Sequence, residues 1–409
     1  MNIYIETYGC SANQNNSEII AGLLEKAGCL ITKLENSDCI IINSCVVKGP
    51  TEAKILAKIK KYLKEHPKKK IIVTGCIANA DPEKVKAINK KIILVGLNNI
   101  KDIVKAAANS RDYLSEKREI KLCIPKKNFN KIIDIVQISE GCLGECSYCF
   151  TKFAKGELFA YPKEMILQEI KNSVANGCKE IWITSQDSAA YPGFIGLLRD
   201  IVAIKGNFFV RIGMMNPNHV LKNLNDLIEI YKSEKVFKFL HLPVQSGSNK
   251  VLKDMNRFYK KEDFIKIIDS FKKEIPLIHI STDIIVGFPT ETEKDFEKTF
   301  DLVKKVKPGI VNISRYWPMP KTKAASMKQL DIKIIQKRSK KLHELVKKIS
   351  LEDNKKFIGW SGNALVDEKN KDGSFTARNI FYKPVIIDKA ELGKMVKVKI
   401  SKAGNGWLR

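Results

Sequence analysis

The chain has no long apolar run. Its apolar stretches, such as Ile280 to Phe288, are too short to cross a bilayer, so no membrane partner is expected. The opening residues, Met1-Asn-Ile-Tyr-Ile-Glu-Thr7, lack the basic region and following apolar stretch of an export signal, so a cytoplasmic protein is expected. Acidic residues are scarce against basic ones. The 45 Asp+Glu and 72 Lys+Arg leave a formal charge of +27, which suits a polyanion such as nucleic acid. A lysine-rich solvated surface would give the same count. Cysteine is not lacking. Ten cysteines in 409 residues, without an export signal, point to metal or redox use rather than disulfides. With 44% hydrophobic residues the chain can build two or three packed domains.

Three cysteines fall in Ser139-Glu-Gly-Cys-Leu-Gly-Glu-Cys-Ser-Tyr-Cys-Phe150. Cys142, Cys146 and Cys149, spaced C-x3-C-x2-C, can hold three corners of a [4Fe-4S] cube. No fourth cysteine follows at once, so one iron stays open for a small ligand. An open iron marks a reactive cluster rather than a plain electron carrier. Zinc is the competing reading, but structural zinc takes four protein ligands, commonly as two C-x2-C pairs, and the second pair is missing.

Residues 1–110 alternate short apolar runs with helical patterns, which predicts an open parallel sheet covered by helices. Its strands are expected at Asn2–Tyr8, Cys39–Asn43, Ile71–Thr74 and Ile92–Val95. Residues 111–131 are charged, lack a clean period and read as a linker. Residues 132–352 repeat the alternation six times and fit a partial (β/α)6 TIM-like barrel. They close with a basic amphipathic helix over 326–352 carrying Lys337, Arg338, Lys340, Lys341, Lys347 and Lys348. Solvated exterior and RNA contact explain that helix equally well. Residues 353–409 read as short strands with Gly- and Asp-rich turns, a small all-β barrel. Its aromatic residues interleave with Lys and Arg, as on a nucleic-acid surface.

Three further cysteines follow strands. Cys10 comes after the first, Cys45 after the second and Cys76 after the third. Adjacent parallel strands lie roughly 5 Å apart, so three neighbouring strand ends can bring three thiols together. The 35- and 31-residue spacings match no compact zinc motif. A second three-cysteine cluster is expected. Cys29, Cys39 and Cys178 read as small buried apolar residues.

Taken together, the chain resembles the methylthiotransferases of the radical S-adenosylmethionine (SAM) superfamily. The likeness spans nearly all of the chain, in that family's order: N-terminal methylthiotransferase domain, radical SAM domain, TRAM domain. Several stretches resemble its archaeal and eukaryotic branch, which acts on N6-threonylcarbamoyladenosine (t6A) in tRNA. These are residues 43–52, Arg211-Ile-Gly-Met-Met-Asn-Pro217, His241-Leu-Pro-Val-Gln-Ser-Gly-Ser248, Asp283-Ile-Ile-Val-Gly-Phe-Pro-Thr-Glu291 and Tyr316-Trp-Pro-Met-Pro320.

The resemblance implies two [4Fe-4S] clusters, one on Cys142, Cys146 and Cys149 and one on Cys10, Cys45 and Cys76. It implies SAM as methyl donor and as radical source, and a sulfide or polysulfide on the auxiliary cluster. The product would be 2-methylthio-t6A at position 37 of tRNA, with S-adenosylhomocysteine, methionine and 5'-deoxyadenosine. A flavodoxin- or ferredoxin-type electron donor and a sulfur source are needed, and a monomer is expected. N6-isopentenyladenosine tRNA and a ribosomal-protein aspartate are the alternative substrates. A two-cluster electron carrier and a pure RNA-binding module are the alternatives of another class.

Other residues carry weaker expectations. Phe150 packs against the cluster or the SAM adenine. Gln186 or Asp187 holds the SAM amino group. Arg211 meets the SAM carboxylate or the substrate, or forms a structural salt bridge. Gln245, Ser246 and Ser248 reach the SAM ribose. Asp283 orients a donor or packs locally. Gly287, Pro289 and Glu291 form an adenine-contacting loop, and Arg315 lies at the substrate mouth. His241 and His279 read as core or rim histidines.

Overall fold

The computed structural model describes residues 1–45 and 49–409. Residues 46–48, within the 43–52 stretch quoted above, lie outside the described ones.

The first 108 residues run β1 (Asn2–Thr7), α1 (Ser11–Lys26), β2 (Leu30–Ile31), β3 (Cys39–Ser44), α2 (Gly49–Glu65), β4 (Lys70–Gly75), α3 (Cys76–Ala80), α4 (Pro82–Lys86), β5 (Ile93–Val95) and α5 (Ile103–Ala108). All strand pairs are parallel, in the order β2-β1-β3-β4-β5. β3 is buried at every position and reads Cys-Ile-Ile-Ile-Asn-Ser, the continuous apolar run of a parallel strand covered on both faces. The expected strands are present within a residue or two. β2 is the addition, too short to show a period.

The second segment runs β6 (Ile133–Gln137), β7 (Ser139–Glu140), α6 (Thr151–Lys155), β8 (Phe159–Ala160), α7 (Lys163–Ala175), β9 (Glu180–Thr184), α8 (Phe194–Ala203) and β10 (Phe209–Ile212). It continues through α9 (Pro217–Lys222), α10 (Leu224–Lys232), β11 (Phe239–His241), α11 (Asn249–Asp254), α12 (Lys261–Glu274), β12 (His279–Val286), α13 (Glu293–Val306) and β13 (Ile310–Arg315). The six long strands form two parallel three-stranded sheets, β6-β9-β10 and β11-β12-β13, with one bridge between Val210 and Val236 where they approach. One large apolar core joins strands and helices.

α14 (Ile332–Lys355) closes this segment, and Asp331 accepts from the Lys333 amide to start it. Ile335, Leu342 and Ile349, seven apart, are its buried stripe. Arg338 departs from the charged-exterior expectation. It is buried, its guanidinium paired with Glu291 at 3.3 Å and Glu293 at 2.9 Å.

The last segment carries β14 (Ser361–Lys369), β15 (Phe375–Asn379), β16 (Pro384–Ile387), β17 (Met395–Lys399), β18 (Ala403–Gly404) and β19 (Trp407–Leu408), ordered β17-β14-β15-β16-β19-β18. Several of its aromatics are not the open surface that the sequence pattern predicts. Phe357 is in the small core, and Tyr382 packs 4.8 Å from Phe237 on the second segment. Burying the rings gives a small sheet a core and docks it.

Residues 111–131 contain no helix or strand, yet they are fastened. Tyr113 bridges to Val95, Lys127 donates its amide to Glu18 O at 2.9 Å, and Lys121 is buried against Glu140 at 2.7 Å. No helix among the described residues is long and apolar enough to cross a membrane.

Candidate active site

Cys10 caps α1, Cys45 directly follows β3, and Cys76 opens α3 directly after β4. These three strands are adjacent in register, with Thr7 beside Asn43 and Asn43 beside Thr74. The chain topology therefore brings the three cysteines to one edge. Gly9, at φ +107°, passes so close that a Cβ there would lie 3.1 Å from the Cys45 sulfur. Only glycine tolerates both that angle and that approach.

Asn13 ties the three loops together. Its Nδ2 donates to Tyr8 O and Ser44 O, each at 2.8 Å, and its Oδ1 lies 4.0 Å from the Cys76 sulfur. Sequence reading did not single out this residue.

The second triad lies past β6. The Gly144 amide donates to the Cys142 sulfur at 3.2 Å. A Cβ on Gly144 would meet the Cys142 sulfur at 3.3 Å and the Cys146 sulfur at 3.7 Å, so the two thiols flank the same small open side. Arg257 reaches in from beyond α11. Its Nη1 donates to the Cys146 sulfur at 3.2 Å, its Nη2 to Asn216 Oδ1 at 2.8 Å and its Nε to the Tyr259 hydroxyl at 3.0 Å. Burial pushes the Cys142 thiol up to about 11 and raises Cys149 too. A metal would have to displace those protons, and its own charge supplies the compensation.

α6 joins the triads. It begins one residue after Phe150, which adjoins Cys149, and ends at Lys155. Phe150 is 5% exposed and packs with Ile77, Leu97 and Met319 in the N-terminal core. That burial, about 1.5–3 kcal/mol for a side chain of this class, docks the two segments against each other.

Lys155 is 6% exposed, and its Nζ has no hydrogen-bond partner. Burial alone would depress its ammonium, but Cys76, Cys10, Glu140 and Cys45 outweigh burial and hold it above the ordinary lysine range. An unpartnered buried cation facing three thiols fits an anionic group held by those thiols. Among the described residues no three His, Cys, Asp or Glu are gathered for a single metal ion. A cubane spreads its thiolates more widely than one ion does.

The remaining expectations divide. Asp187 lies near Cys142, but its carboxylate is occupied by the Asn216 amide at 3.0 Å and His219 Nδ1 at 2.7 Å. Gln186 keeps a buried Oε1 without a partner. Ser248 caps α11 and donates to Asp295 at 2.7 Å, and Ser246 meets Thr299 at 3.3 Å, both serines fully buried. Their hydroxyls hold the loop rather than open toward a ligand. Gln245 adopts φ +66° with its backbone paired to β12. Asp283 contacts His241 Nε2 at 3.0 Å and accepts from Asn312 at 2.7 Å.

Glu291 accepts from the Gly287 amide at 2.5 Å, and burial raises its carboxyl to about 7. Gly287, at φ +81°, presses against Ile335 of α14, and Pro289 is buried. Arg315 is exposed at the end of β13. His279 is a buried core histidine.

The radical SAM superfamily pattern matches residues 136–303, the Uncharacterized protein family UPF0004 pattern residues 2–96, and the TRAM domain pattern residues 356–409. Among solved structures, the methyltransferase TsrM from Kitasatospora setae matches 79% of this chain and 76% of its own, at a TM-score of 0.60 and 12% identity. The radical enzyme OxsB matches 85% of this chain and 56% of its own, at a TM-score of 0.55 and 13% identity. Fold and cysteine placement thus define a radical SAM protein with a TRAM domain.

A protein of Methanothermobacter thermautotrophicus named probable threonylcarbamoyladenosine tRNA methylthiotransferase is 40% identical over 99% of this chain and 98% of its own length. The Archaeoglobus fulgidus protein of that name is 41% identical over 98% and 96%. The human threonylcarbamoyladenosine tRNA methylthiotransferase is 36% identical over 100% of this chain and 73% of its own. The chain belongs to the threonylcarbamoyladenosine tRNA methylthiotransferase family.

Proposed function

We propose that this protein attaches a methylthio group to C2 of t6A at position 37 of tRNA. The observation that carries the reading is the pairing of two cysteine triads through α6, with the buried Lys155 cation beside Cys10, Cys45 and Cys76. Cys142, Cys146 and Cys149 would hold one [4Fe-4S] cluster, and Cys10, Cys45 and Cys76 the other. When bound, the first supplies reductive cleavage of SAM and the second a place for the transferred sulfur.

C2 of adenine carries an unactivated C–H that no side-chain base removes at neutral pH, which is why a cofactor is needed. The chain's own residues do the rest. Asn13 fixes the three N-terminal loops. Arg257 places positive charge on Cys146. Phe150 and α6 fix one triad against the other. Segments 1–110, 132–352 and 353–409 act as three domains, the first two joined by 111–131, and the basic exterior draws in tRNA. A flavodoxin- or ferredoxin-type protein and a sulfur source complete the cycle.

The test is mass spectrometry of nucleosides after anaerobic incubation of reconstituted protein with SAM, sulfide, reductant and t6A-containing tRNA. A 2-methylthio-t6A peak, absent with Cys149→Ala, supports the reading. No product despite two intact clusters and SAM cleavage overturns it in favour of isopentenyladenosine tRNA or a ribosomal-protein aspartate.

A further inference from the structure

All three segments contribute to one cleft of about 590 Å³, the size of a small-ligand site. Cys10 of the auxiliary triad lines it, with Phe129, Trp182 and Arg211, and so do Arg378 and Tyr382 from the TRAM segment. Ser11, next to Cys10, hydrogen-bonds Thr184 at the end of β9 at 2.8 Å and fixes the first segment against the second.

The two arginines differ. Arg378 is held by Asp367 at 3.2 Å. Arg211 has no carboxylate within ion-pairing distance among the described residues, and its Nε lacks any hydrogen-bond partner. Its guanidinium carbon lies 4.6 Å from the Trp182 ring, 5.3 Å from Phe239 and 5.2 Å from Tyr382. Trp182 and Arg211 are register partners on β9 and β10, so both side chains leave the sheet on the same face. The rings fix the guanidinium and partly desolvate it, while its N–H edge is left for an anion. No Asp or Glu is among the described residues lining the cleft.

We propose that this cleft receives the modified purine and that Arg211 binds the carboxylate of its amino-acid substituent, with Arg378 and Tyr382 completing the pocket from the TRAM segment. The inference rests on the function proposed above and names its specificity element. The threonyl carboxyl is ionised at neutral pH. An isopentenyl substituent has no charge and would leave the ring-flanked Arg211 guanidinium without a partner. Sites built to pair a polar group reject analogues that lack it. Cys10 on the same wall brings the purine edge to the auxiliary triad.

The test measures binding of the reconstituted protein to anticodon stem-loops carrying t6A, unmodified adenosine or isopentenyladenosine, with SAM binding measured alongside. Wild type should favour the t6A stem-loop by about tenfold or more, the scale of a charge-assisted hydrogen bond. Arg211→Gln should abolish that preference, whereas Arg211→Lys, which keeps the charge, should retain part of it and control for folding. A preference unchanged in Arg211→Gln overturns the proposal. So does a loss of SAM binding, which would assign Arg211 to the cofactor. Wild type that shows no t6A preference and makes no 2-methylthio-t6A defeats the functional reading itself. Product formation with an unchanged Arg211→Gln preference defeats only the pocket assignment.

Discussion

Arg257 donates to the Cys146 sulfur at 3.2 Å although 111 residues separate them. A cation on a cluster ligand favours the reduced, more negative state of the cluster. Arg257→Gln should therefore make that cluster harder to reduce, by about 60 mV, the one-electron equivalent of a tenfold change. An anaerobic redox titration followed by electron paramagnetic resonance reads the shift. An unchanged midpoint would show that Arg257 only braces the loop through Asn216 and Tyr259.

Replacing one cysteine of either triad should separate the two sites. Wild type should bind about eight irons, and Cys76→Ala or Cys149→Ala about four, as two cubanes require. Cys76→Ala should still release 5'-deoxyadenosine from SAM but make no methylthiolated nucleoside. Cys149→Ala should do neither. Iron analysis with product chromatography distinguishes them.

Lys155→Met should weaken both the metal-free and the reconstituted protein. Without clusters, Cys76, Cys10, Glu140 and Cys45 outweigh burial and favour the ammonium in the folded state, so removing it should lower the thermal unfolding temperature. With clusters it also removes the countercharge to the N-terminal group, so iron should be lost faster on anaerobic gel filtration. A variant as stable and as slow to lose iron as wild type would contradict the placement of Lys155.

His279 gives a pH dependence. Burial first, then Lys383, lowers its pKa from the ordinary 6.5 to about 3. The unfolded chain therefore takes up a proton that the folded one refuses. Its contribution to stability is whole above pH 6.5 and is lost as pH falls toward 3, at up to about 1.4 kcal/mol per unit. Thermal unfolding of metal-free wild type and His279→Phe between pH 7 and 4 should show a flatter acid limb in the variant.

Much of the framework was legible in the sequence because it is local. Cys142, Cys146 and Cys149 sit within eight positions, and Cys10, Cys45 and Cys76 each follow an apolar run that can only be a strand. The contacts that complete the site are not local. Asn13, Lys155 and Arg257 act across 31 to 111 residues or between segments, where spacing carries no signal. Trp182, Arg211 and Tyr382 meet only once the TRAM segment docks. Ser246 and Ser248 looked available because polar residues after a strand read as ligand contacts, yet they cap and brace their own loop.

α6 is five residues long, and both of its ends are committed: Phe150 in the N-terminal core before it, Lys155 buried at its close. At 1.5 Å per residue, the helix from Thr151 to Lys155 spans roughly 6 Å. The helix is thus a ruler of fixed length between the place where SAM is expected to be opened and the place where sulfur is expected to wait. One residue inserted between 150 and 155 would turn its far end by about 100° and point Lys155 away from the thiols. Each half could then keep its own chemistry while the handover between them failed.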